Sequence, residues 1–336
     1  MAQYSLSYVL TTYNKLPYLK QVLERLIATR QTDEEIVVAD GGSKDGTPEY
    51  LSGLFEAGKI QQFVSERDKG EAHGFNKCML MARGELIKII TDDDAFCYPA
   101  IREAKQFMIA NPEIDVLSGN TGLIHLENLG QATIYDDVAD NFHRWLDQKA
   151  VVWMIGLPLI IRRKSLALTG LFHTGAVQVD TEFTFRITSL NVNLAWSTAM
   201  LSTRIENPQS NFRVMNQGKG PRASDVEIDR MRFYYDKTMN INSFPDFVRY
   251  KSGWIEMLKA PIRPLKRKLF DVLKLEQYQG NSVWPTGYDG PEITIDANSN
   301  EAINRAFEVA DQFMAKYNET HPVEFLFRSS EIKKVG

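Results

Sequence analysis

Three consecutive carboxylates, Asp92, Asp93 and Asp94, close the apolar run Leu86-Ile87-Lys88-Ile89-Ile90-Thr91. Four of the six residues in that run are large aliphatics and the run follows Gly84, so it reads as a buried strand. Three like charges at one strand end repel one another. They make chemical sense where a divalent cation and a phosphate-bearing ligand supply the balancing charge. Taken alone, the triplet reads equally well as a solvated acidic turn ahead of a helix near Pro99. Two further polar clusters, at Thr11-Thr12-Tyr13-Asn14 and at Asp40, shift the balance toward a site.

Elements must bring those clusters to one edge. Residues 5–10 have strand composition, and residues 16–28 place apolar side chains at Leu16, Leu19, Val22, Leu23, Leu26 and Ile27, a helical spacing. A second strand, 35–39, ends at Asp40 and is followed by Gly41-Gly42-Ser43-Lys44-Asp45-Gly46-Thr47-Pro48. Thr47 is placed to cap the next helix, with Pro48 at its first position. Residues 60–64 form a short third strand that leads through Ser65-Glu66-Arg67-Asp68-Lys69-Gly70 into a helix, for which Gly84 is the expected C-cap. Strands and helices in this order imply right-handed crossovers and a parallel sheet. Such sheets bind ligands beyond the carboxyl ends of their strands. Tyr13, Asp40 and Asp92 to Asp94 all fall there.

Residues 5 to about 120 resemble the nucleotide-sugar-binding half of a family 2 glycosyltransferase. The resemblance is carried by Thr11-Thr12-Tyr13-Asn14, Ile36 through Thr47, Ser65 through Gly70, Asn76-Lys77, and Gly84-Glu85 followed by a strand and Thr91-Asp92-Asp93-Asp94. It implies an α/β protein of the GT-A fold, with a mostly parallel, Rossmann-like central sheet flanked by helices. The catalytic domain would span 1–215, its nucleotide-sugar-binding half 1–120 and its acceptor half 121–215. A mainly helical extension would follow at 216–336. The resemblance implies that Thr11 and Tyr13 border a nucleotide base, with Asn14 beside them and Tyr13 stacked on the ring. It implies that Asp40 accepts from base or ribose, and that Asp92 and Asp93 reach the ribose and a metal bridging the diphosphate. Asp93 is the first choice for the metal and Asp94 the second, because the register of a triple Asp is ambiguous. The resemblance also implies that Asp68, His73 and Asn76 fall near the donor sugar. His73 stands where many members have Asp, and Thr91 where the commoner motif has Asp or Asn. These roles suit the chemistry: a ring gives a base a stacking face, a carboxylate accepts from imide or hydroxyl, and hard oxygens suit Mn²⁺ or Mg²⁺. Arg67 is placed to reach the base or a phosphate, or else is a surface arginine.

In the second half, residues 153–163 read as a loop and a buried strand. Asp180-Thr181-Glu182-Phe183-Thr184-Phe185-Arg186 resembles the family segment that opens a helix beside the acceptor, which implies Asp180 as general base. A carboxylate there takes the acceptor hydroxyl's proton. Glu182 is the rival, and Arg186 buttresses the site through an ion pair. His125, His143 and His173 read as surface or core histidines.

Net charge of −4 over 336 residues argues against a nucleic-acid binder. Two cysteines, Cys78 and Cys97, stand in no metal or redox spacing and point to a reducing cytosol. Met1 stands almost directly before the first strand, so no signal peptide is expected and the expected location is cytoplasmic. From Lys259 to Lys274 six basic residues face one acid, Asp271, and Leu265, Leu269 and Leu273 share a helical face. That pattern suits either peripheral contact with the inner face of an anionic membrane or a docked helix with its lysines in water. The expected activity is inverting, metal-dependent transfer of a sugar from a nucleotide-diphospho-sugar (a UDP-sugar by resemblance) to a hydroxyl of a glycan or lipid-linked acceptor. A non-catalytic nucleotide or glycan binder of the same fold is the alternative. A sugar nucleotidyltransferase is disfavoured, since Thr11-Thr12-Tyr13-Asn14 replaces a Gly-rich, Arg-containing loop. A dinucleotide dehydrogenase is disfavoured, since no G-x-G-x-x-G follows the first strand.

Overall fold

The computed structural model describes residues 3–206, 223–251, 281–290 and 299–328. Its first half alternates β1 (Tyr4–Thr12), α1 (Leu16–Thr29), β2 (Glu34–Asp40), α2 (Thr47–Glu56), β3 (Gln62–Ser65), α3 (Glu71–Met81) and β4 (Gly84–Ile90). Every residue of β2 is buried, as in a central parallel strand covered on both faces. The four strands run parallel in the order β3-β2-β1-β4. Their register sets the site: Thr12 lies opposite Asp40, and Asp40 opposite Ser65. Leu10 lies opposite Ile90, so two residues further along come Thr12 on one strand and Asp92 on the other.

Beyond β4 the sheet continues with antiparallel neighbours: β8 (Ile160–Arg162), β6 (Val116–His125), β7 (Asn128–Ile134) and β10 (Ser282–Pro285). The long β9 (Leu194–Glu206) runs parallel to β6 and holds the short β5 (Ala95–Phe96) and β11 (Phe325–Phe327) antiparallel to itself. Parallel pairing is therefore a property of the first half and of β6–β9. The helices of the second half are α4 (Tyr98–Ala110), α5 (Asp136–Gln148), α6 (Leu166–Thr169), α7 (Val179–Ser189), α8 (Ala223–Tyr235), α9 (Phe244–Arg249) and α10 (Asn300–Thr320). In α10, Ile303, Ala306, Phe307, Ala310, Phe313 and Met314 form one buried stripe against β9 and α1. Segments beyond residue 216 thus contribute helices and also two strands of the central sheet. The basic stretch 259–274 lies outside the described residues. Among those described, no helix is long and apolar enough to cross a membrane.

Thr47 and Gly84 differ from their expected capping roles. α2 starts at Thr47, with Gly46 as its N-cap at φ +92°, and Asp45 rather than Thr47 accepts the first-turn N–H. Gly84 opens β4 instead of capping α3; a Cβ there would lie 2.6 Å from the Ser7 amide nitrogen, so close strand pairing demands glycine.

Gly74 brings α3 onto the end of β1. An added Cβ would sit 1.9 Å from Thr11 Oγ1 and 2.8 Å from Thr11 Cβ. Rotating the hydroxyl relieves only the first contact. Gly74→Ala is expected to cost about 1–3 kcal/mol by overpacking, measured by urea denaturation; a variant as stable as the parent would show that the α3–β1 approach is looser than described.

Candidate active site

The carboxyl ends of β1, β2 and β4 open into a cleft of about 700 Å³. Thr11, Tyr13, Arg67 and Asp68 line it, as do Asp92 and Asp93. Tyr13 is 59% exposed, so its ring face is free for a planar ligand. Gly41 leaves room for the Asp68 side chain, and Gly42 lets the 66–67 backbone approach closely. A Cβ on Gly41 would meet Asp68 Oδ2 at 2.9 Å, and one on Gly42, at φ +86°, would meet the Arg67 amide nitrogen at 3.3 Å. The cleft lining therefore combines an aromatic face, a guanidinium and a carboxylate.

Several expected ligand contacts serve the walls instead. Asp40 is fully buried, and its two oxygens accept from the Ser43 amide at 3.1 Å each, from Ser43 Oγ at 2.5 Å and from Ser65 Oγ at 2.6 Å. Its carboxylate fixes the glycine loop from below. Asn14, at φ +52°, donates its backbone N–H to Ser43 Oγ and accepts from the Lys44 amide, clipping the same loop to β1. Asn76 acts as a side-chain mimic of a backbone pair: it donates to the Phe172 carbonyl at 2.8 Å and accepts from the Phe172 N–H at 2.9 Å. His73 Nδ1 accepts from the Lys69 amide and shapes the loop ahead of α3. His173 is exposed and accepts from the Gly175 amide.

At the acidic end, Lys15 Nζ lies 2.6 Å from Asp93 Oδ2 and 3.4 Å from Asp92 Oδ1. Burial alone would lower the Lys15 pKa, but Asp92 and Asp93 outweigh it and hold it well above the ordinary lysine range. Burial raises Asp92, with Lys15 opposing and Asp93 adding to the shift. Asp94 turns away from the cleft. It accepts from the Ile205 N–H of β9 at 2.9 Å and from Thr91 Oγ1 at 2.7 Å, and burial followed by Asp93 raises its pKa. Thr91 thus steers Asp94 into the sheet. Of the triplet, Asp92 and Asp93 line the cleft.

The second expected cluster stands on α7. Asp180, half-buried in the first turn, accepts from the Gly156 N–H at 3.0 Å and from the Thr181 N–H at 2.7 Å. Burial raises its pKa despite those donors. Gly156 is required here, because a Cβ would lie 2.8 Å from Asp180 Cβ. The neighbouring Leu157 carbonyl accepts from the fully buried Lys88 ammonium, whose pKa burial lowers. Glu182 is spent: Arg186 Nε and Nη2 donate to it at 3.0 and 2.8 Å, and so does the Tyr235 hydroxyl. Arg186 also donates to the Thr169 and Leu171 carbonyls, which sets the loop carrying Phe172. Glu227 of α8 accepts from the Val177 and Gln178 amides and so caps α7.

Sequence reasoning missed Lys15, Lys44 and Glu71, which also line the cleft. Glu71 shares an electrostatic field with Asp180, Lys15, Asp92 and Asp93, and so links the two acidic clusters. A signal for Lys15 existed: it is the N-cap of α1, where a cation opposes the helix dipole unless acids hold it.

Asp92 and Asp93 are a donor set of hard oxygens that fits Mg²⁺ or Mn²⁺, which take one or two carboxylates and complete their shell with phosphate and water. Among the described residues no group of three or more His, Cys, Asp or Glu forms a metal cage. The pair therefore suits an ion completed by a ligand better than a structural ion.

Residues 7–128 match the family described as Glycosyl transferase family 2. The chain is 28% identical over 93 residues to an uncharacterized glycosyltransferase of Nostoc sp. (strain PCC 7120 / SAG 25.82 / UTEX 2576), covering 27% of this chain and 29% of that protein. It is 27% identical over 116 residues to glycosyltransferase GlyG of Streptococcus pneumoniae serotype 4 (strain ATCC BAA-334 / TIGR4), covering 34% of this chain and 38% of that one. The matched part is thus well under half the length of either relative. Among solved structures, a mannosyltransferase from Pyrobaculum calidifontis in complex with GDP-Man and Mn²⁺ superposes with a TM-score of 0.49 at 14% identity, over 94% of this chain and 88% of that one.

Proposed function

We propose that the protein, whose residues 7–128 match Glycosyl transferase family 2, transfers a sugar from a nucleotide-diphospho-sugar to an acceptor hydroxyl. One observation carries this reading: a single cleft at the ends of parallel strands joins an exposed aromatic face, Tyr13, to a pair of carboxylates, Asp92 and Asp93. A base fits the first and a metal-bound diphosphate the second.

On this reading Tyr13 stacks on the base, while Arg67 and Asp68 bind its edge or the ribose. Asp68 fills the space that Gly41 leaves open, which makes it a better acceptor for the base than the saturated Asp40. Asp92 and Asp93 would hold Mn²⁺ or Mg²⁺, which would supply positive charge to the departing diphosphate. Asp180 accepts the proton of the acceptor hydroxyl. The acceptor oxygen forms a bond to the sugar's C1 as the bond from C1 to the phosphate oxygen breaks, with inversion. The Gly156 and Thr181 amides hold the Asp180 carboxylate in place. Glu182 takes no part as base, because its lone pairs go to Arg186 and Tyr235. The acceptor is a glycan or a lipid-linked molecule, and for the latter the basic segment 259–274 is the candidate for peripheral contact with a membrane.

Calorimetric titration with UDP, GDP and dTDP, each with and without Mn²⁺, tests the site. One nucleotide is expected to bind in a metal-dependent way, and Asp93→Ala to weaken that binding by about tenfold or more, roughly 1.4 kcal/mol. Binding of none, or binding indifferent to metal and to Asp93, would leave a fold without the proposed donor site.

A further inference from the structure

A cation already sits on the two carboxylates of the cleft. Lys15 Nζ is 2.6 Å from Asp93 Oδ2 and 3.4 Å from Asp92 Oδ1, and the three side chains are only 10–12% exposed. An ammonium so placed competes for the oxygens that a divalent ion would use, and two cations at that spacing repel. The backbone that carries Lys15 is fixed. The Asn14 amide donates to Ser43 Oγ, and the Leu16 amide donates to Asp45 Oδ2. Freedom therefore resides in the four-carbon side chain, which can swing its charge without moving α1.

We propose that Lys15 is a built-in counter-ion of the Asp92–Asp93 pair, holding it while the cleft is empty and passing to the donor's diphosphate when nucleotide and metal bind together. The idea rests on reading the cleft as a nucleoside-diphosphate site. The diphosphate is what makes room for both charges, since its oxygens take the ammonium that the carboxylates release. Metal and nucleotide then bind with positive coupling. Neither enters well alone, and each strengthens the other by the same factor, as linkage requires. Lys15 is in this sense a positioning residue for the metal site as well as a phosphate contact. It also prevents the empty pair from collecting stray divalent ions.

The test is Mn²⁺ binding in the absence of nucleotide, followed by electron paramagnetic resonance or calorimetry. It uses the full chain, Lys15→Met, Lys15→Gln and the double variant Lys15→Met/Asp93→Ala. Both single variants are expected to bind Mn²⁺ about tenfold tighter than the parent, within the usual span of coupling effects. The gain should vanish in the double variant. UDP and GDP should raise the parent's Mn²⁺ affinity, and raise that of the Lys15 variants by a smaller factor. Equal or weaker Mn²⁺ binding in both Lys15 variants overturns the proposal, and makes Lys15 a fixed partner of the carboxylates. The nucleotide arm on the parent judges the donor-site reading separately, because the Mn²⁺-only arm decides the role of Lys15 whether or not UDP or GDP binds.

Discussion

Asp180→Asn is expected to lower sugar transfer by about 10²–10⁴-fold, the usual contribution of a general base, while nucleotide affinity stays within about twofold, a shift of some 0.4 kcal/mol. Only the carboxylate can take the proton, and the donor lies at the other cluster. The substitution is not silent in structure. Both Asp180 oxygens accept from backbone amides, so the new amide nitrogen must face a donor, either that of Gly156 or that of Thr181. Some loss of stability, about 1–3 kcal/mol, accompanies the change, and a urea melt run alongside separates it from the chemical effect. The pH profile gives a second readout. Burial raises the Asp180 pKa, so its base form is lost as pH falls through a value above the ordinary carboxylate range. The parent should show that acid limb in kcat/KM and the variant should lack it. A variant that keeps more than about a tenth of the parent's activity, far above the expected residue, would move the base elsewhere, with Glu71 the next group to test.

Arg186→Met should give the largest stability change, about 3–5 kcal/mol by the cost of stranding a buried charge. Glu182 is 4% exposed and would keep only the Tyr235 hydroxyl as a partner among the contacts described above. The Thr169 and Leu171 carbonyls would lose their donors as well. Pairing the change with Glu182→Leu should recover much of the loss, because replacing both members of a buried pair by apolar groups is far cheaper than removing one. The urea midpoint of the single and the double variant checks this. A single variant within about 1 kcal/mol of the parent would mark the pair as a solvated contact rather than a buried one.

The first seven elements were legible because each is declared locally. β1 and β2 are apolar runs, α1 has helical spacing, and Gly and Pro mark the turns between them. The second half was legible only in part. The loop and buried strand read at 153–163 contain β8, and the segment at Asp180 does open a helix. Its other strands are defined by partners far away in sequence, and β9, buried along nearly all of its thirteen residues, has no period to read. At the site, the carboxylates and Tyr13 could be placed from strand ends alone. Which polar motif residues face a ligand could not. Asn14, Asp40 and Asn76 have the donors and acceptors to hold a sugar nucleotide, and the same atoms hold a loop equally well. The path of the chain decides between the two, and here it brings Ser43, Ser65 and Phe172 within reach first. Glu182 lies two residues from Asp180, which on a helix points it to another side, toward Arg186 one turn later.

The pairing of β10 with β7 has a consequence for how the molecule is made. Residues 282–285 hydrogen-bond to residues 131–134, so the β7 edge of the sheet is covered by a stretch translated long after it. At ordinary ribosomal speeds of about 5–20 residues per second, that edge stands open for roughly 7–30 s on each nascent chain. Unpaired strand rims recruit other chains. The hazard of misassembly is therefore concentrated in biosynthesis, when neighbouring ribosomes present the same bare rim, and subsides once the last strands dock.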